Sequence, residues 1–392
     1  MRSIELFAGA GGLALGSSFA GFKHEAVIEW DKDACNTIRE NQRRGISPVN
    51  LWPSVVPTDV TEFDFSKIKE NIDLIAGGVP CQPWSLGGKH KGFNDDRNLF
   101  PEVVKIVRQL RPKAILIENV KGLTRKVFAN YYEYIKHQLR YPEIVQKPRE
   151  MWMDHLRRLE RHHTSGSTKG LHYHLVARLV NAADFGVPQR RERVFLVAFR
   201  SDLEIEWTFP KETHSQDALL YDQFVSNEYW ERHEVPKRQR SVPERWRSRV
   251  NVLKSSLFSP NELRWRTVRD VITGLPDPQT PQNGHAFLNH VHNPGARSYP
   301  GHTGSPMDEP AKTLKAGVHG VPGGENTLAY SNGKVRYFTV REAARLQTFP
   351  DDYVFQSSWT ESMRQIGNAV PVKLAEIISN HIASHLQDAA RN

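Results

Sequence analysis

The chain has 392 residues, 39% hydrophobic and 25% charged, a composition that suits a globular protein of one large or two medium domains. No apolar run reaches the roughly 20 residues of a membrane helix, the N-terminal Met-Arg-Ser-Ile-Glu turns acidic too early for a signal peptide, and two cysteines exclude a disulfide framework, so a reducing, cytoplasmic setting is expected. A net charge of +9 favours a polyanionic partner without naming one.

Short apolar runs alternate with helical patterns over the first 200 residues, the signature of a doubly wound α/β fold. Residues 4–7 read as a strand, followed by a glycine turn and a helix from about Leu13. Residues 26–29 form a second strand and 33–42 a helix, and 73–76 lead into Gly-Gly-Val-Pro-Cys81. Val103, Ile106, Val107 and Leu110 have helical spacing, and residues 114–117 are a wholly apolar strand. Residues 125–166 read as an insertion of no evident role, and residues 173–180 and 193–199 as two further strands.

Composition then shifts. Residues 204–335 are rich in Pro, Gly, Arg, His and Asn, too long for a loop, and are expected to form a second, smaller and irregular domain. Residues 237–249 carry six positive charges against Glu244 alone, with Trp230, Trp246 and Trp265 in or near the run. Such a stretch is either a solvated basic face or a phosphate-binding one. Order returns over residues 339–346 and in a final helix after Pro371. The expected division is 1–203, completed by 361–392, then 204–335, with 336–360 as a hinge.

Two groups of residues carry chemistry. Phe7-Ala-Gly9-Ala-Gly11-Gly12 follows a strand and opens a helix, where backbone amides approach a ligand closely. Gly9-x-Gly11-x-x-Ala14 fits the dinucleotide fingerprint, and Glu29, ending the second strand, sits where a ribose-binding carboxylate belongs. These features suit NAD and S-adenosylmethionine equally. Trp30 offers a flat surface for adenine, or is an interface aromatic; Asp59 meets the adenine amino group, or caps a turn.

The second group lies at other strand ends. Pro80 and Pro83 stiffen the chain around Cys81, and Gly77 and Gly78 let it turn, so the thiol is either a held nucleophile or a small buried residue. Residues 114–117 run into Glu118-Asn-Val, where partial desolvation should raise a carboxyl pKa so that Glu118 can act as an acid, or where the glutamate caps a helix or pairs with a cation. Gln189-Arg-Arg191-Glu-Arg193 brings three guanidiniums toward the same edge, either as structural ion pairs or as donors to a bound base.

Phe-Ala-Gly-Ala-Gly-Gly, Pro-Cys-Gln, Glu-Asn-Val, Gln-Arg-Arg-Glu-Arg, Thr339-Val-Arg-Glu-Ala-Ala-Arg-Leu-Gln-Thr-Phe-Pro and Gln365-Ile-Gly-Asn-Ala-Val-Pro occur in this order. In this the chain resembles the bacterial cytosine-5 DNA methyltransferases. The resemblance implies a Rossmann-like catalytic domain, with residues 204–335 as a target-recognition domain. It implies S-adenosylmethionine as methyl donor, held by Phe7, Gly9, Gly11, Gly12, Glu29, Trp30, Asp59, Val60, Pro80, Leu99, Asn368 and Val370. Cys81 would add to carbon 6 of a flipped-out cytosine, Glu118 would serve ring nitrogen 3, and Arg193, supported by Arg191, would hold the base oxygen. Gln82, Ser85, Lys89, Arg97, Arg240 and Arg245 are the expected contacts to double-stranded DNA. A monomer, associated with the nucleoid and paired with a restriction endonuclease, completes the expectation.

Rival readings fit less. A nicotinamide oxidoreductase explains the glycine turn and Glu29 but not Pro-Cys-Gln with Glu-Asn-Val. A zinc deaminase needs Pro-Cys-x-x-Cys, and position 84 is Trp; no metal is expected. An RNA cytosine-5 methyltransferase shares the chemistry but has no need of the long basic middle.

Overall fold

The computed structural model describes residues 1–80, 99–166, 169–280, 287–300, 303–316 and 325–391, which fall into two compact units. The first comprises residues 1–180, 192–210 and 375–392, and the second residues 181–191 and 211–374.

The first unit is α/β, as its sequence pattern leads one to expect. Its elements in chain order are β1 (Arg2–Leu6), α1 (Gly12–Phe19), β2 (Lys23–Ile28), α2 (Lys32–Arg43), β3 (Leu74–Gly78), α3 (Phe100–Leu110) and β4 (Ala114–Val120). There follow α4 (Ala129–Arg140), α5 (Trp152–Thr164), β5 (Tyr173–Asn181) and β6 (Glu192–Arg200). The sheet order is β2-β1-β3-β4-β6-β5. The first four strands in that order run parallel, and β6 is antiparallel to β4. Ile4 and Leu6 of β1 join Ile75, Ile115, Ile117, Val194 and Leu196 in the main core, while Ser3 and Glu5 point to the opposite face, as strand alternation requires.

Residues 125–166 prove more than a featureless insertion. They form α4 and α5, and Tyr131, Tyr134, Ile135, Leu139, Leu156 and Leu159 enter the same core. Their apolar positions are diluted by Arg, His and Lys on the solvent face, which hides the helical period from a coarse scan.

On the opposite face, α1 meets the end of the chain. A Cβ placed on Gly16 would run into Ala375 Cβ and stand 2.6 Å from Glu376 N, so only glycine permits this approach. Both contacts lie in the last helix, whose Ala375-onward part belongs to this unit.

The second unit holds β7 (His214–Ser215), α6 (Gln216–Phe224), α7 (Glu228–Arg232), α8 (Arg247–Ser255), β8 (Leu263–Arg264), α9 (Val268–Ile272), β9 (Ser305–Pro306), β10 (Thr327–Ala329), β11 (Val335–Tyr337), α10 (Val340–Leu346) and α11 (Trp359–Asn368). The chain ends in α12 (Val372–Ala389). Apolar clusters in the second unit are small, one being Ala183, Leu219, Tyr229, Trp230, Val235 and Trp265. A buried polar network supplements them. Tyr229 donates to Asp308 Oδ1 at 2.9 Å, Arg269 clamps Asp308 at 2.5 and 3.0 Å, and Arg264 clamps Asp270 at 2.7 and 2.9 Å.

These units are drawn differently from the expected domains. Residues 181–191 and 361–374 fall in the second unit and 204–210 in the first. The physical reason is Arg191, buried to 1% exposure, whose guanidinium donates to the carbonyls of Leu314, Gly367 and Ala369 at 3.2, 2.8 and 2.9 Å. Gln189 adds bonds to Leu314 N and Gln347 Oε1.

Candidate active site

The glycine turn after β1 is built by backbone geometry. Phe7, Gly9 and Gly11 all have positive φ (56°, 55° and 83°), and Gly11 N donates back to Ala8 O at 2.8 Å. Gly12 is the first residue of α1 and is buried. A Cβ on Gly9 would meet nothing within 4 Å, so the space over the turn is open to a ligand.

Glu29 closes the turn from the next strand. Its Oε2 accepts from Gly9 N at 2.6 Å, and its Oε1 accepts from Trp30 N and Asp31 N at 2.9 and 2.8 Å. Burial raises its pKa, and these three amide bonds oppose the rise. A carboxylate has about four acceptor positions, so one remains for a ligand hydroxyl. Trp30 beside it is 72% exposed, with no packing role to hold it there. Thr58 N donates to Glu29 O at 2.8 Å, which draws Asp59 alongside. Asp59 Oδ1 accepts from both Thr61 N and Thr61 Oγ1, forming a turn cap, and leaves Oδ2 for a donor. Val60 is a core residue beneath, and Leu99, at the start of α3, packs against the same core. Open space, a ringed carboxylate and an exposed indole fit an adenosine-bearing ligand.

The second cluster lies two strands along. In the parallel register Leu6 pairs with Gly77, and Gly78 with Glu118. A Cβ on Gly77 would stand 2.7 Å from Leu6 O, and one on Gly78 would stand 3.3 Å from Glu118 Oε2. Gly77 is therefore required by the Leu6 carbonyl, whereas a side chain at Gly78 would only press on Glu118. Asn119 Nδ2 donates to Val79 O at 3.1 Å and so braces the segment leading to Pro80 and Cys81. Arg193 Nε lies 2.9 Å from Glu118 Oε1, with both side chains largely buried. The antiparallel pairing of Val120 with Arg193 fixes this contact.

Other expected residues belong to the second unit. Arg191 is spent on three backbone carbonyls of the second unit, in which Asn368 (the last residue of α11) and buried Val370 also lie. Arg240 donates to Val235 O at 2.7 Å and pairs with Glu231 at 2.5 Å; Arg245 pairs with Glu309. Arg247 and Arg249 pair with Glu244 and Asp217, so much of the basic run is neutralised within its own unit. Cys81, Gln82, Ser85, Lys89 and Arg97 lie outside the described residues.

Sequence reasoning missed two bracing residues. Asn119 and Gln189 sit inside recognised motifs, yet their side-chain bonds serve carbonyls and amides that no spacing discloses. It also passed over His381-x-x-x-His385, a ligand spacing on α12.

With this geometry in hand, the comparisons with known proteins are consistent. The profile of the C-5 cytosine-specific DNA methylases matches residues 1–141 and 153–384. The Type II methyltransferase M.Eco47II of Escherichia coli is 32% identical over 98% of this chain and 79% of its own length. M.NgoMIV of Neisseria gonorrhoeae, also a Type II methyltransferase, is 31% identical over 98% of both chains. The S. pombe Dnmt2 methyltransferase shares the fold, with a TM-score of 0.54 at 18% identity over 99% of both chains. The chain belongs to the C-5 cytosine-specific DNA methylases and is a DNA (cytosine-5-)-methyltransferase of the bacterial Type II kind.

Proposed function

We propose that this enzyme methylates carbon 5 of a cytosine flipped out of a specific short duplex sequence, through a covalent adduct of Cys81. The observation that supports the reading is the register of Gly78 against Glu118, which ends β3, the strand before Pro80, beside the Glu118–Arg193 pair. Carbon 5 of cytosine is a poor nucleophile. Addition of the Cys81 thiolate to carbon 6, with a proton held at nitrogen 3 by Glu118, makes it a good one. Arg193, pinned by Glu118, presents its guanidinium to the base oxygen and limits charge build-up. S-adenosylmethionine, when bound, supplies an electrophilic sulfonium methyl. Glu29, Trp30, Asp59 and the Gly9 turn would hold its adenosine portion. Loss of the carbon 5 proton and elimination of Cys81 then restore the aromatic ring and the thiolate.

The target must leave the stack for this chemistry, since neither face of a paired cytosine is accessible. The second unit, with Lys237 and Arg238 among its basic groups, is the part we assign to target recognition. Its Asn368 and Val370 belong to the cofactor set by motif position. A restriction endonuclease of the same specificity in the bacterial cytoplasm is the natural counterpart of such an activity. DNA carrying 5-fluorocytosine at the target tests the reading. Fluorine cannot leave as a proton does, so a denaturation-resistant adduct that is absent from Cys81→Ser is expected. Turnover by Cys81→Ser, or methylation without an adduct on a verified target, would overturn it.

A further inference from the structure

The described part of α12 carries His381 and His385, one helical turn apart on the same face. Their ring centroids are 4.7 Å apart with planes at 42°. Neither belongs to the cofactor turn or to the Glu118 cluster, and the methylation chemistry uses neither.

Two features distinguish them from incidental surface histidines. First, His385 Nδ1 donates to the His381 backbone carbonyl at 2.8 Å. A carbonyl only accepts, so the proton sits on Nδ1 and the lone pair is left on Nε2. A backbone carbonyl on the far ring nitrogen is the support that metal-binding imidazoles commonly have. Second, His381 is braced by the edge of Trp207, at 5.6 Å between centroids, and His385 lies 6.4 Å from Phe199, so both rings are held before any ion arrives.

We propose that His381 and His385 form a two-imidazole chelate for a late first-row divalent cation of the Cu²⁺, Ni²⁺ or Zn²⁺ class. Imidazole nitrogen suits these ions, whereas Mg²⁺ and Ca²⁺ require oxygen. The two rings are close enough for one ion to reach both. Nitrogen sites bind Cu²⁺ more tightly than Ni²⁺ or Zn²⁺, which ranks Cu²⁺ first. Water fills the other positions. Asp388, a further three residues along, is paired with Arg391 at 3.6 Å and contributes negative charge to the same stripe.

The test uses the untagged full-length protein and Cu²⁺ alone. Calorimetry on the wild type is expected to show one site that weakens at least tenfold in His381→Gln and in His385→Gln. Copper should quench the fluorescence of the nearby Trp207, and Trp207→Phe should lose that quenching while keeping the site. Should a histidine variant misfold, the wild type still decides. One equivalent of Cu²⁺ is expected to protect both imidazoles from carbethoxylation, read by peptide mass spectrometry. An unchanged first site in His381→Gln/His385→Gln, or no protection of the two rings in the wild type, overturns the proposal.

Discussion

Arg193 and Glu118 form an ion pair of 2.9 Å across the antiparallel strands β4 and β6, with side-chain exposures of 13% and 8%. The carboxylate assigned to nitrogen 3 of cytosine and the guanidinium assigned to the base oxygen are thus one unit before substrate arrives. Each fixes the other's rotamer, and together they set the geometry that a planar base would meet. Pre-orientation of this kind removes reorganisation from the reaction step.

Breaking the pair separates its structural from its chemical role. Arg193→Gln leaves Glu118 buried without its counter-charge and is expected to cost about 3 kcal/mol of stability, measured by urea unfolding. The double variant Arg193→Gln/Glu118→Gln removes both charges and should recover most of that loss. Methyl transfer should stay low in both variants, by roughly a hundredfold or more. Recovery of activity along with stability would show that the pair serves only the fold.

Gly78 makes a related but milder test. Its missing Cβ stands 3.3 Å from Glu118 Oε2, and Arg193 prevents the carboxylate from withdrawing freely. Gly78→Ala is therefore expected to lower the methylation rate about tenfold, with stability changed by no more than about 1 kcal/mol. A steady-state assay beside thermal unfolding distinguishes the two effects.

How much of this was legible follows from the kind of residue involved. The strands around Ile4, Ile75 and Ile117 were plain because a buried parallel sheet needs continuous apolar runs. Glu29 and Trp30 stand out by their spacing after a glycine turn, a local signal. Arg191 and Arg193 look alike in sequence, yet Arg193, within β6, pairs with Glu118, whereas Arg191, just before that strand, donates to the carbonyls of Leu314, Gly367 and Ala369. The basic run meets the same limit. Its partners Asp217 and Glu309 lie 32 and 64 residues from Arg249 and Arg245, a separation no local pattern spans.

That neutralisation yields its own prediction for DNA binding. Lys237→Ala and Arg238→Ala should each weaken binding across all duplex sequences and reduce the salt slope by about one. Arg249→Ala, which releases Asp217, should lower the stability of the second unit more than it lowers affinity. Titrations of labelled duplex at several salt concentrations, with unfolding curves, read both quantities.

Trp30 is 72% exposed, so its removal leaves no cavity. Trp30→Ala is expected to weaken S-adenosylmethionine binding roughly tenfold, the usual loss for one aromatic stacked on a base, with an unchanged melting temperature. Calorimetric titration of the free enzyme measures this, and undiminished affinity would remove Trp30 from the cofactor site.

Glu5 provides the pH dependence. It lies within β1, fully buried, and neither carboxylate oxygen has a hydrogen-bond partner among the described residues. Burial raises its pKa well above 4.5, so the folded protein holds a proton here that the unfolded chain has released. The native state then binds more protons than the unfolded state, and stability falls as pH rises from the unfolded pKa toward the folded one. Glu5→Gln removes the titrating group while keeping its shape. Unfolding free energies of the wild type should decline relative to those of the variant from about pH 4.5 upward, so that the variant gains on the wild type with every unit of pH until Glu5 is ionised in both states. Parallel pH profiles would mean that β1 opens enough to hydrate the carboxylate, and the buried acid would then carry no proton of its own.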